Sequence, residues 1–150
     1  RRDAGDLHES LEQAQRHGRD LVFLDTAPHS SHEAATAARL ADLVLIVSRP
    51  AILDLEAIGA SVRIVKQLGC NSAIVLNACP PPQQRGETAI VREARAALGA
   101  YGLPVAPVSV SQRAAFSHAL IDGRAVTEFE DSGKAANEIR NLWQWIESRW

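Results

Sequence analysis

Short apolar runs separated by stretches of helical periodicity constrain this chain more than any other feature. The runs are residues 21–24, 43–47, 73–76 and 105–110. The first three show no polar alternation. Such a run reads as a strand buried on both faces, as in a parallel sheet covered by helices. The stretches between and around them predict helices near 7–17, 31–41, 55–68, 87–101, 113–121 and 133–149. Asp6 is placed to cap the first. Ser30 with Glu33 forms a capping box for the second, Asp54 caps the third, and Gly18, Gly69 and Gly123 close helices. Leu55, Ile58, Val62 and Val65 recur at helical spacing, as do Ala135, Ile139, Leu142, Trp143, Ile146 and Trp150. Strand–helix repetition of this kind predicts an α/β protein with a doubly wound, mainly parallel sheet and helices on both faces.

At 150 residues the chain is expected to form a single α/β domain, 1–150. Aromatic residues make up only 5%, so Ala, Val, Ile and Leu must build the core. No apolar run approaches the ~20 residues of a membrane span, so no membrane contact is expected. A net charge of −2 argues against a constitutive nucleic-acid-binding tail. Methionine is absent, which predicts a fragment or a processed piece of a longer protein. Cys70 and Cys79 flank the third strand. Nine extended steps span roughly 30 Å, against the ~5.5 Å between bridged Cα atoms. Two free thiols fit a reducing, cytoplasmic setting.

In open α/β sheets ligands bind beyond the carboxyl ends of the strands. Four stations there hold most of the unusual polar residues: 25–29, 48–50, 77–82 and 110–113. Asp25 follows an apolar strand directly. That is the position from which a Walker B carboxylate holds Mg²⁺ against nucleotide phosphates, and equally that of a solvated Asp capping a turn. No G-x-x-x-x-G-K-[ST] occurs, and Gly133-Lys134 lacks both the flanking glycine and the Ser or Thr. His29 and His32 are read as polar residues around a helix start rather than as metal ligands. Ser30, Ser31 and His118 lack a nucleophile elbow, so a hydrolase is not expected. Three consecutive prolines, Pro80 to Pro82, exclude regular structure in the loop 80–86.

Leu21-Val22-Phe23-Leu24-Asp25-Thr26-Ala27-Pro28 resembles the Walker B and switch II segment of ParA-type partition ATPases, the deviant-Walker relatives of MinD. Residues 41–47 with Arg49-Pro50 and Asp54-Leu55 are similar to that family's next strand and helix start. Ser111-Gln112-Arg113-Ala114-Ala115-Phe116 and Gly133-Lys134-Ala135-Ala136-Asn137-Glu138-Ile139 resemble its C-terminal part. The resemblance runs from about residue 20 onward, in order. It implies a P-loop NTPase-like fold and a Mg-ATPase that dimerises around ATP, binds DNA non-specifically and moves cargo with a ParB-like adaptor. It implies Asp25 at the Mg²⁺, through a water, and Thr26 and Pro28 in the switch that senses the γ-phosphate. Asn77 would read the adenine edge, against the alternative of a turn former before Pro80. Val110 and Arg113 would wall the base.

The family's P-loop, signature lysine and switch I acid have no counterpart in these residues. The chain alone is therefore expected to lack ATPase activity, because P-loop N–H groups supply most of the phosphate grip. From residue 110 onward five basic residues face six acids, so any DNA footprint would have to be assembled by dimerisation. A nucleotide-free α/β interaction module descended from the same family is the competing expectation.

Overall fold

The computed structural model describes residues 4–27, 31–84 and 86–149. Helix α1 spans Ala4–Arg16 and α2 Ser31–Leu40. Strand β1 is Val44–Ser48 and β2 is Ser72–Leu76. Between them run α3, Ile52–Ala57, and α4, Gly59–Leu68. Helix α5 is Ala89–Gly99, α6 Ala114–Ile121, α7 Val126–Phe129 and α8 Lys134–Glu147. Ser30 and His29 lie outside the described residues, as does Trp150.

β1 and β2 pair in parallel, with Val44 opposite Ser72 and Ser48 opposite Leu76. All five residues of β2 are buried, as an apolar strand with neighbours on both sides and both faces must be. On its far side Ile74 bridges Val105 in parallel, and the Ala106 N–H donates to the Ile74 carbonyl at 2.8 Å. The main core gathers Ile46, Ile74 and Leu76 from this sheet with Val62, Val91 and Leu98 from α4 and α5. Each such side chain contributes about 1.5–3 kcal/mol on burial. A smaller cluster of Ala119, Val126 and Ala135, flanked by Phe116, Phe129 and Ile139, joins α6, α7 and α8.

Several expectations are corrected. Residues 21–24 form no strand. Leu21 and Val22 are 43% and 44% exposed and Phe23 75%. A strand exists only through hydrogen bonds to a lateral neighbour, and among the described residues none pairs with this run. The 105–110 run is not a continuous strand either. After Ala106 bonds to Ile74, the next donor to β2 is Val110, to Leu76, rather than Val108. Residues 107–109 therefore loop out, beginning at Pro107, which has no N–H to give to a ladder.

Two helix starts also shift. α1 begins at Ala4, so Asp6 lies within its first turn rather than at the cap. The third helix starts at Ile52 behind an extended Ala51, which puts Asp54 inside the first turn, where its charge faces the positive end of the helix. That helix is interrupted at Ile58, dividing it into α3 and α4. Gly69 closes α4 with φ 66°, the left-handed conformation glycine adopts without strain. Among the described residues, no helix is long and apolar enough to cross a membrane.

Candidate functional site

Three of the four stations converge at the carboxyl edge of the sheet through backbone hydrogen bonds. The Asn77 N–H donates to the Ser48 carbonyl at 2.8 Å, joining the ends of β1 and β2. The Cys79 N–H donates to Val110 at 3.0 Å, and the Gln112 N–H donates back to Cys79 at 2.8 Å. Cys79 and Ser111 thus form a parallel bridge one step beyond the sheet. The fourth station is not tied in: no hydrogen bond between described residues links 25–27 to the other three. Asp25 and Thr26 are exposed, and Pro28 lies outside the described residues.

Asn77 is exposed, and its side chain has a fixed orientation. The Ala78 N–H donates to Asn77 Oδ1 at 2.8 Å. Ala78 itself has φ 50°, an uncommon conformation for a residue with a Cβ. With Oδ1 identified as the acceptor, Nδ2 is the free end of the amide. It has no protein partner among the described residues, and it suits an acceptor such as a ring nitrogen of a heteroaromatic base.

Val110 is buried at 6% and supports the wall from behind. Arg113 is engaged: its Nη2 donates to Glu138 Oε1 at 2.6 Å and its Nε to both carboxylate oxygens at 3.2 Å. The same carboxylate accepts the Ser111 N–H at 3.0 Å and the Ser111 hydroxyl at 2.8 Å. Burial resists the charge on Glu138, but these hydrogen bonds outweigh it and hold its carboxyl below the usual glutamate value. Arg113 is held more firmly protonated in turn.

A cleft of about 430 Å³ opens beside this segment, lined by Pro81, Gln112, Arg113, Glu130 and Lys134 among others. The first residues of α6 and α8 both border it, so two helix N-termini contribute positive potential. The Glu130 carboxylate lies against Gly133 so closely that a Cβ there would meet its Cδ at 2.5 Å. Behind the wall, Cys79 is fully buried and burial pushes its thiol up. Arg95 ties α5 to this region by donating to Glu87 Oε1 at 2.5 Å and to the Ala106 carbonyl.

The free Asn77 amide lies at the carboxyl edge, and the cleft next to the 110–113 segment is lined by Arg113, whose charge Glu138 balances, and by Lys134 and Glu130. A dedicated Mg²⁺ cage does not exist among the described residues, where no three potential ligands cluster. Asp25 could at most hold a cation through water, as its exposure allows. The structure places Asn77 and Arg113 at the carboxyl edge, as the sequence indicated, and adds Glu138, which sequence reasoning missed. The signal was present: Glu138 shares a helix face with Ala135, Ile139 and Leu142, and a charge within an apolar stripe needs a buried partner.

No protein-family model matches the chain, and no curated protein matches it. Solved structures do. The chain has an α/β fold like that of the MinD structures it superposes on. The cell-division ATPase MinD of Pyrococcus furiosus superposes with a TM-score of 0.76 over 97% of this chain, at 19% identity. The septum site-determining protein MinD of Pyrococcus horikoshii, solved with Mg-ADP, gives 0.75 over 97% at 16% identity. Apo McdA from Cyanthece gives 0.55 over 72% at 17%. The chain spans 59% and 57% of the two MinD chains.

Proposed function

We propose that these residues form the base-side and Mg²⁺-side portion of a ParA/MinD-like Mg-ATPase that works in plasmid or chromosome partition. The observation that carries the reading is the convergence of Asn77 with the 110–113 segment at the carboxyl edge of a MinD-like fold, with the Asn77 amide free. In this reading Asn77 and the Arg113 wall hold adenine. Asp25 anchors a water-bound Mg²⁺ at the phosphates, with Thr26 and Pro28 beside it in the switch. Bound Mg²⁺ supplies charge compensation on the phosphates. The ATP-bound protein pairs as a homodimer, binds DNA non-specifically and takes a ParB-like adaptor as its partner. The similarity to a MinD solved with Mg-ADP supports nucleotide and Mg²⁺ as ligands.

The test uses a polypeptide in which a P-loop accompanies these residues. Mg-dependent phosphate release is measured for it and for its Asp25→Asn and Asn77→Ala variants. Asp25→Asn is expected to abolish turnover with the fold intact. Asn77→Ala is expected to weaken ATP binding about 2–13-fold and to erode preference for ATP over GTP. Near-normal turnover in Asp25→Asn removes the Mg²⁺ assignment. Absence of any turnover favours the nucleotide-free interaction module, to which the exposed Leu21, Val22 and Phe23 lend themselves.

A further inference from the structure

Among the described residues, the Glu138 carboxylate receives its hydrogen bonds from the wall segment. Ser111 gives two, and Arg113 gives its Nε and Nη2. The pair is well shielded, with side chains 18% and 15% exposed. Ser111 is also the bridge partner of Cys79, two residues after Asn77. One carboxylate on α8 is therefore connected, through Ser111 and the Cys79 backbone, to the loop that carries the free amide. It also aligns the Arg113 guanidinium, and Arg113 lines the cleft.

We propose that Glu138 is the positioning residue of the base-binding wall: it fixes Ser111 and Arg113 beside the loop that carries Asn77, so that α8 sets how well the site discriminates a purine base. This rests on the base-side reading above. A planar ligand held by one amide and one guanidinium is sensitive to their separation, because misplacement by about 1 Å removes a hydrogen bond. Backbone hydrogen bonds from Val110 to Leu76, Cys79 to Val110 and Gln112 to Cys79 hold the main chain of the 110–113 segment, but they do not reach the Arg113 side chain. The segment follows the looped-out residues 107–109, where the ladder to β2 is interrupted. A salt link from a 14-residue helix fixes the Arg113 guanidinium, which the backbone ladder does not.

The test needs no phosphate cradle. Adenosine is titrated into the 150-residue chain and followed by backbone and side-chain amide NMR, with guanosine as the comparison. Glu138→Gln keeps shape and loses charge, and Ser111→Ala removes one donor and keeps the ion pair. The expected result is a saturable shift at Asn77 and Gln112 in the unaltered chain. Affinity should fall about fivefold or more in Glu138→Gln, with a smaller fall in Ser111→Ala. The adenosine-over-guanosine ratio should narrow in both, while the indole signals of Trp143 and Trp145 stay in place. A purely structural role would lower the unfolding midpoint without changing that ratio. Equal affinity and ratio in all three proteins overturns the role of Glu138 and leaves the base site standing. No saturable shift in the unaltered chain overturns the base-side reading and this inference with it. Should Glu138→Gln fail to fold, Ser111→Ala decides alone by the same ratio.

Discussion

The Tyr101 hydroxyl donates to the Leu55 carbonyl at 3.0 Å, tying the segment after α5 to α3 just before its interruption at Ile58. The last carbonyls of a helix have no partner within it, so this bond supplies one.

Tyr101→Phe removes that hydroxyl and keeps the ring. The expected loss of stability is about 0.5–1.5 kcal/mol, read as a lower urea midpoint at constant slope. An unchanged midpoint would mean that water replaces the hydroxyl at no cost.

Acid should act on the fold through Glu138. Its folded-state affinity for a proton is depressed, so its contribution is complete above the unfolded glutamate value, about 4.3, and is lost as pH falls through the lower folded one. Unfolding midpoints measured from pH 7 to pH 3 should therefore fall more steeply in the unaltered chain than in Glu138→Gln. Parallel curves would assign the acid sensitivity to other carboxylates.

The two thiols should differ. Cys79 is fully buried, and burial holds its thiol protonated. The stability linked to it is present below the unfolded cysteine value, about 8.5, and is lost as pH rises through the higher folded one. Cys70 is half-buried and donates to the Ala38 carbonyl at 3.3 Å. An aromatic disulfide reagent at neutral pH should modify Cys70 slowly and Cys79 only after denaturant is added. Rapid titration of both in the native chain would show that the 77–82 loop opens readily.

Exposed apolar residues before α2 and at β1 should make the 150-residue chain self-associate. Phe23 is 75% and Val47 55% exposed. Replacing both with lysine should raise the monomer fraction in sedimentation velocity and leave the thermal midpoint nearly unchanged, since little burial is lost. Association unaffected by the double substitution would place the contact elsewhere, with exposed Leu120 and Ile121 the next surface to test.

Much of this architecture was legible in the sequence, and the failures share a cause. The apolar runs at 43–47 and 73–76 became strands because each finds the other as neighbour. The equally apolar 21–24 did not, since pattern reports suitability for a ladder and not the presence of a partner. Pro107 was visible, but the two-residue slip it accompanies depends on the register with β2. The interruption at Ile58 escaped because Leu55, Ile58, Val62 and Val65 keep their spacing across it. The four-residue α7 is too short for periodicity to register. Asn77 and Arg113 were placed at the carboxyl edge correctly. What holds Arg113 was not, because the partner lies 25 residues away on another helix.

Parallel neighbours in this sheet are also successive in the chain. Val44 meets Ser72 28 residues later, and Ile74 meets Val105 31 residues later. Each pairing therefore needs only the strand before it and the intervening helices. A nascent polypeptide can close them one at a time in the order the ribosome delivers them, without waiting for its far end.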